Sequence, residues 1–317
     1  MPCLTRDSQV WLQDGNTILV SEDYIAFRVH LGTIAHRSDV FRELFALPRS
    51  VHEENMDGCP VIRLHDSSTD LRHLLLVLCC GKNYYYSRDH FQCVPFSVLE
   101  SLIRVGHKYA VHDVLSEALG RLKKYYPTTL DEWDDVEGRA RWVETSPADA
   151  TTVIELARLA NAPSLLPTAY LTCCGLITSR EHTDALRALS SEDLHRIMNA
   201  SAATSRSCAL RLIFMLHPSR ADGCRSPDTC EAMAGSLAQD IMTIDASASH
   251  MRDAHLIPDA FKLLWCGQAS RGGMHSMCEA CMTNTKSEHD RSRSSYWRFF
   301  PNDVFQMEIE GWQKWIV

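Results

Sequence analysis

The chain has 317 residues, of which 45% are hydrophobic and 23% are charged. This is the composition of a soluble globular protein with about two domains of roughly 100–200 residues each. The net charge of −8 argues against a general nucleic-acid surface, because such a surface needs a basic face that releases counterions from phosphates.

The first predicted elements are two strands followed by two helices. Residues 18–20 and 25–29 are rich in β-branched and aromatic side chains, and they flank the polar Ser21–Asp23, a pattern that predicts a strand, a turn and a strand. Apolar residues then recur at helical spacing, at Ile34, Val40, Phe41, Leu44 and Phe45. Ser38 is placed to cap the second of these helices.

A short strand, Val61–Leu64, and three helices complete the first predicted module, which ends at Pro127. The first of these helices opens at Ser67–Asp70, and Ser97–Glu100 has the pattern of a capping box that begins the next. Leucines at helical spacing mark the apolar face of the first helix, namely Leu71, Leu74, Leu75 and Leu78. We expect a core of Leu19, Phe27, Val29, Ile34, Phe41, Leu44, Leu74, Leu75, Leu78, Leu102, Val105 and Leu119.

His30, Ser38, Phe41 and Phe45 resemble the core motif of BTB/POZ domains, in which His and then Ser-x-x-Phe follow a hairpin. Residues 102–109 also resemble the penultimate BTB helix. The resemblance implies an α+β domain over residues 11–127, with helical hairpins packed on a small sheet. It further implies a module that binds proteins, either a second copy of itself or, in substrate adaptors, a cullin-type ubiquitin ligase.

Two positions depart from that family pattern. Asn16 stands where many BTB domains begin the first core strand with Asp, and Leu31 stands where repressor-type members have Lys or Arg after the motif His. In those members the two charges contribute to a pocket that recruits partners, so we do not expect that mechanism here. The stretch before Trp11 is short for the N-terminal helix that is swapped in BTB homodimers. Whether this chain forms a homodimer is therefore an open question.

We interpret residues 128–145, with the acidic Asp131–Glu137, as a linker, and residues 146–317 as an all-α C-terminal domain. Helices are predicted at Leu165–Leu176, Ser191–Asn199, Cys208–Leu216, Cys230–Met242, Pro258–Trp265, Cys278–Arg293 and Pro301–Trp315. Residues 156–169, and the order of BTB domain, acidic linker and Cys-containing helical tail, resemble the expanded BTB-domain family of mushroom-forming basidiomycete fungi.

Four of the thirteen cysteines form two close pairs in the C-terminal domain, Cys224-x5-Cys230 and Cys278-x2-Cys281. Two such thiolate pairs can bind a tetrahedral zinc ion with Zn–S distances of ~2.3 Å, so these four residues are candidate ligands of a structural zinc. Cys266 and His275 are alternative fourth ligands. The other interpretation is that all four are reduced thiols packed in a helical domain.

No apolar run reaches the ~18 residues of a membrane-spanning helix, and the first residues are too polar for a secretory signal. We therefore expect a cytoplasmic or nuclear protein that keeps its thiols reduced. No nucleophile elbow, P-loop or dinucleotide-binding motif occurs. The sequence thus favours a non-catalytic interaction protein that binds protein partners, without nucleic acid or membrane.

Two other classes stay open. One is a zinc-dependent enzyme in the C-terminal domain, which would need three protein ligands, an open coordination position and a carboxylate such as Glu279 nearby. The other is a transcriptional regulator, for which the sequence offers no DNA-binding module with a basic face.

Overall fold

The computed structural model describes residues 3–47, 54–81, 93–177, 183–216, 221–231 and 277–312. Within these ranges the protein is α+β, with a small mixed sheet at the N-terminus followed by helices. The chain divides into two compact units. The first comprises residues 1–127, 131–146 and 152–165, and the second comprises residues 128–130, 147–151 and 166–317.

The sheet of the first unit has five strands: β1 Thr5–Trp11, β2 Thr17–Val20, β3 Ile25–Val29, β4 Asn55–Met56 and β5 Cys59–Arg63. Their order in the sheet is β1-β3-β2-β5-β4. β2 and β3 are antiparallel, with Leu19 opposite Phe27, whereas β1 pairs with β3 and β2 pairs with β5 in parallel. The predicted hairpin and the strand near Val61 are confirmed, and β1 is a strand that the sequence analysis missed.

β1 owes its irregular course to a buried carboxylate. Asp7 is 4% exposed and accepts backbone hydrogen bonds from Gln9 and Val10 at 2.9 and 2.8 Å, at the point where the register with β3 shifts. Its other oxygen accepts a hydrogen bond from Arg72 Nε at 2.7 Å. These partners compensate the cost of burying the charge, and they join β1 to the helix that carries Arg72.

The first unit also contains five helices: α1 Leu31–Arg37, α2 Asp39–Ala46, α3 Ser68–Cys79, α4 Phe96–Lys108 and α5 His112–Tyr125. Ser67 caps α3 as predicted, by accepting from the backbone N–H of Asp70 at 3.1 Å. The predicted capping box at Ser97 is wrong, since α4 already begins at Phe96 and its N-cap Pro95 makes no side-chain cap. The predicted core residues are buried except Leu44, which is half-buried.

Pro95 belongs to a second, two-stranded parallel sheet, formed by β6 Val94–Pro95 and β7 Val143–Glu144. Between α5 and β7, the stretch interpreted as a linker is helical, with α6 Leu130–Asp134 and α7 Val136–Ala140. Trp133 is only 5% exposed and lies under the Arg139 guanidinium, 4.2 Å from the ring centroid. This buried cation–π contact explains why an acidic stretch folds instead of remaining solvated.

The C-terminal half is helical in every described range. The turn Pro147–Asp149 leads into α8 Ala150–Leu159, and the turn Pro163–Leu165 leads into α9 Leu166–Leu176. α10 Thr183–Arg187, α11 Ser191–Leu216 and α12 Glu279–Phe305 follow, and residues 227–231 are also helical. Among the helices of the described residues, none is long and apolar enough to cross a membrane.

Neighbouring predicted helices merge in two places, but the helix predicted at Pro301–Trp315 is wrong beyond Phe305, because Gln306 adopts a left-handed conformation and residues 306–312 are not helical. α11 covers the predictions at residues 191–199 and 208–216, and α12 extends from the prediction at 278–293 through Pro301 to Phe305. The predicted helix at residues 258–265, and most of the one at 230–242, lie outside the described residues.

α12 continues through Pro301 because a tryptophan replaces the missing hydrogen bond. Proline has no N–H, so the carbonyl of Trp297, four residues earlier, loses its helical donor. The indole N–H of Trp312 donates to this carbonyl at 2.9 Å, and the rings of Trp297 and Trp312 stack at 5.1 Å. Phe300 and Phe305 pack in the same aromatic cluster, which fills the core of the second unit near the end of α12.

Candidate metal centre

Each cysteine pair of the second unit is formed where a loop enters a helix. Cys224 closes a turn by donating its backbone N–H to Ala221 O at 3.0 Å, and Cys230 lies in the helical residues 227–231 that follow. Cys278 is the N-cap of α12, and Cys281 lies in its first turn. Because three residues amount to nearly one helical turn, the side chain of Cys281 returns to the side of the N-cap.

The structure brings the four predicted ligands together. All four Sγ atoms lie within 4.8 Å of one another. Cys224 Sγ is 3.9 Å from Cys230 Sγ and 3.8 Å from Cys278 Sγ. A tetrahedron with Zn–S bonds of ~2.3 Å has sulfur–sulfur edges of about 3.8 Å, so these spacings fit a zinc ion at the centre. The alternative ligands Cys266 and His275 lie outside the described residues.

Backbone hydrogen bonds lower the pKa values of these thiols, whereas burial raises them. Hydrogen bonds from the backbone of Cys281 and Arg225 lower the pKa of Cys278 to about 6, which favours the thiolate. At Cys281 a backbone hydrogen bond from Ala221 also lowers the pKa, but burial and the neighbouring thiols raise it to about 12. A divalent cation would resolve this competition by stabilising all four thiolates, since thiols that coordinate a metal are deprotonated.

The other described cysteines do not converge with one another as metal ligands. Burial raises the pKa of Cys79 and of Cys174 to about 12, so both are neutral thiols at physiological pH. Cys59 is buried in the sheet, where its Sγ donates to Gly15 O at 3.3 Å. Within the described ranges, the group of side chains that converges as metal ligands is the set at residues 224, 230, 278 and 281.

In the first unit, the motif residues Ser38 and Phe41 make contacts that hold helices together. Ser38 Oγ accepts the backbone N–H of Phe41 at 3.0 Å, which caps α2 as predicted, and donates to Tyr109 O at 2.5 Å. Phe41 is fully buried and stacks on Tyr109 with ring centroids 4.2 Å apart. Tyr109 in turn donates its hydroxyl to Asp66, and burial together with that carboxylate raises the pKa of Tyr109. This role of Tyr109 is not evident from the sequence, because Phe41, the side chain that it stacks on, is 68 positions away.

The other motif positions surround the start of α1. His30 Nε2 lies 3.2 Å from Asp14 Oδ1, and this contact is partly exposed. Among the described residues, no nucleophile joins the pair to form a catalytic arrangement. Asn16 Oδ1 accepts the backbone N–H of Leu31 at 2.9 Å. The two positions that depart from the BTB pattern therefore contact each other directly, through a neutral hydrogen bond instead of a charged pocket.

Comparison of the chain with protein-family models and with curated proteins finds no match. Its function is therefore inferred from the geometry of its own side chains.

Proposed function

We propose that this chain is a non-catalytic protein-interaction protein. Its N-terminal unit acts as a BTB domain that binds protein partners, and its C-terminal unit is held by a structural zinc ion. The observation that carries the proposal is the convergence of four cysteine Sγ atoms within 4.8 Å. Four thiolates fill a tetrahedral coordination sphere, whereas a catalytic zinc keeps one position open for water or substrate.

Glu279 does not change this assignment. It is adjacent in sequence to Cys278, but its side chain is exposed, and the fourth coordination position beside it is taken by a thiolate. A carboxylate acts as a general base on a zinc-bound water only when such a water can bind. The geometry therefore supports the structural role over the enzymatic alternative.

The proposed BTB assignment is supported by contacts between the motif residues. Ser38 and Phe41 join α2 to the end of α4 through Tyr109, so the Ser-x-x-Phe pattern serves to fix a helical pair against the rest of the unit. Apolar side chains also lie at the surface here, with Val40 of α2 38% exposed and Leu47, the residue that follows α2, 62% exposed. Exposed apolar side chains of this kind are suited to contact another protein.

Nucleic acid is the less favoured partner. Among the cations of α12, Lys286 forms an ion pair with Asp290 at 2.6 Å, and Arg293 is 5% exposed. The basic character of the helix is thus partly neutralised and partly buried, while nucleic-acid binding depends on accessible cations.

Metal analysis of the purified full-length protein tests the zinc half of the proposal. We expect one zinc ion per chain and, after cobalt substitution, the intense thiolate-to-cobalt charge-transfer absorption of a tetrahedral thiolate site. A protein purified with excess zinc that still contains none would contradict the proposal. So would a metal ion with an exchangeable water ligand, which would indicate the enzyme instead.

Affinity purification followed by mass spectrometry tests the interaction half, and light scattering of the pure chain tests self-association. Recovery of a cullin with candidate substrates would identify an adaptor, and a dimer that is lost when Val40 is changed to Asp would identify self-binding through α2. A matched Val136→Asp variant, at a 62% exposed position of α7, should change neither result. The interaction role would be overturned if light scattering shows a monomer and affinity purification recovers no bound protein.

A further inference from the structure

The four cysteines of the metal centre differ in their access to solvent. Cys230 and Cys281 are 7% and 3% exposed, whereas Cys224 and Cys278 are half-buried. The Sγ atoms of these two more exposed residues are also neighbours, 3.8 Å apart. Cys230 is further engaged by the backbone N–H of Cys278, which donates to its Sγ at 3.3 Å. A small oxidant that arrives from solvent therefore meets Cys224 and Cys278 first, and each has the other as its nearest accessible thiolate.

We infer that Cys224 and Cys278 are the oxidation site of this centre, where a peroxide converts the two thiolates into a disulfide and thereby releases the zinc ion. The inference rests on the proposed zinc centre. Susceptibility of cysteine to peroxide follows thiolate character and exposure. A metal ion keeps all four sulfurs as thiolates, so exposure decides which of them reacts.

The step balances with hydrogen peroxide as the oxidant. One thiolate attacks a peroxide oxygen, which gives a sulfenic acid and one hydroxide ion. The second thiolate then attacks the sulfenic sulfur, which forms the S–S bond and expels a second hydroxide. The two sulfurs together lose two electrons and the peroxide gains them.

Zinc release follows from the geometry of the product. A disulfide holds its sulfurs about 2.05 Å apart, far closer than the 3.8 Å between Cys224 and Cys278. Neither sulfur is then a thiolate or at a corner of the tetrahedron, and only Cys230 and Cys281 remain as ligands. Disulfide formation and metal loss should therefore occur together.

The test uses the zinc-loaded, full-length protein and hydrogen peroxide. Zinc release is followed with a colorimetric chelator, and disulfides are mapped by mass spectrometry after the remaining thiols are alkylated. We expect one zinc ion released for each Cys224–Cys278 disulfide, and recovery of zinc binding after a dithiol reductant and zinc are added. A disulfide between Cys230 and Cys281, or zinc release without a disulfide, would overturn the inference. Absence of zinc before peroxide is added would instead refute the proposed centre itself.

Two histidine variants separate the accessible pair from the buried pair. Cys224→His keeps a four-ligand Cys3His set but removes one partner of the disulfide, so peroxide should release zinc at least about tenfold more slowly. The matched Cys230→His keeps both accessible thiols and should release zinc nearly as fast as the unmodified chain. Equal rates in the two variants would contradict the assignment, and the disulfide map of the unmodified chain decides the question independently if a variant fails to retain zinc.

Discussion

In the first unit, α3 buries six apolar side chains and one serine along a single helix, whereas α12 of the second unit buries Thr285, His289 and Arg293 through its middle. Buried apolar side chains add to the stability of a helix wherever they occur. Buried polar side chains contribute little net stability, because their hydrogen bonds mainly offset the cost of removing them from water. The buried apolar side chains of α12 and its proposed metal ligand lie toward its two ends, at Cys281 and from Trp297 onward. The first unit is thus stabilised by a continuous core. α12 is held by two separate anchors, Cys281 and Trp297, which lie roughly 24 Å apart along the helix axis.

Removal of the metal should have the largest effect and should be confined to the second unit. Structural zinc contributes roughly 10–16 kcal/mol of apparent binding free energy in small zinc domains. We expect chelation or Cys278→Ser to raise hydrogen exchange in residues 221–231 and in the first turns of α12, with no change in the sheet of the first unit. Cys79→Ser or Cys80→Ser should release no metal. Equal loosening of both units would contradict the expectation that the effect is confined to the second unit.

Phe41→Ala should have the next largest effect, on the other unit. Phe41 is fully buried between Phe45 and Tyr109, so its truncation should cost about 3–5 kcal/mol of unfolding free energy. Urea denaturation measures this cost, and the zinc content should stay unchanged. Phe299→Ala, at a side chain that is 47% exposed, is the matched control and should change stability by only about 0.5 kcal/mol.

The second anchor of α12 can be tested through one hydrogen bond. Trp312→Phe removes the donor to Trp297 O and should cost about 1–3 kcal/mol, because the buried carbonyl loses its partner. In a Pro301→Ala background the alanine N–H can donate to the same carbonyl, so Trp312→Phe should cost less there. A double-mutant cycle measures the difference. Additive costs would mean that the indole N–H does not replace the proline's missing bond.

A smaller effect is expected from pH in the first unit. Burial, with Arg72 nearby, lowers the pKa of His73 from its usual 6.5, so the folded state favours the neutral ring. Below pH 6.5 the unfolded chain binds a proton that the folded chain resists, and stability should fall from pH 7 toward pH 5. His73→Gln should make the denaturation midpoint less dependent on pH over this window. An identical pH profile in the variant would show that His73 is not responsible.

Short-range patterns in the sequence predicted much of the first unit. The hairpin, the Ser38 and Ser67 caps and the leucines of α3 each depend on residues within one or two turns of chain, and the structure confirms them. The capping box at Ser97 failed because β6 brings Phe96 directly into helical geometry, one residue earlier. β6 and β7 were missed because strands of two residues have no periodicity to detect.

The remaining errors, in the first unit as well as the second, come from side-chain contacts that local sequence patterns do not predict. Pro301 predicts a helix boundary, and only the indole of Trp312 explains why α12 continues. The acidic stretch around Trp133 folds because Arg139 covers the ring, which composition alone does not reveal. The cysteine pairs were recognisable from their spacing, but that they converge is a property of the fold.

The hydrogen bond from the Trp312 indole to the Trp297 carbonyl constrains which substitutions this chain can accept during evolution. A lineage that loses the indole at position 312 while it keeps Pro301 leaves a buried carbonyl without its donor, and a lineage that replaces Pro301 no longer needs the indole. Substitutions at the two positions should therefore be correlated among related chains, with loss of the proline preceding loss of the tryptophan. The order matters because only that path passes through intermediates in which every helical carbonyl of this turn has a partner.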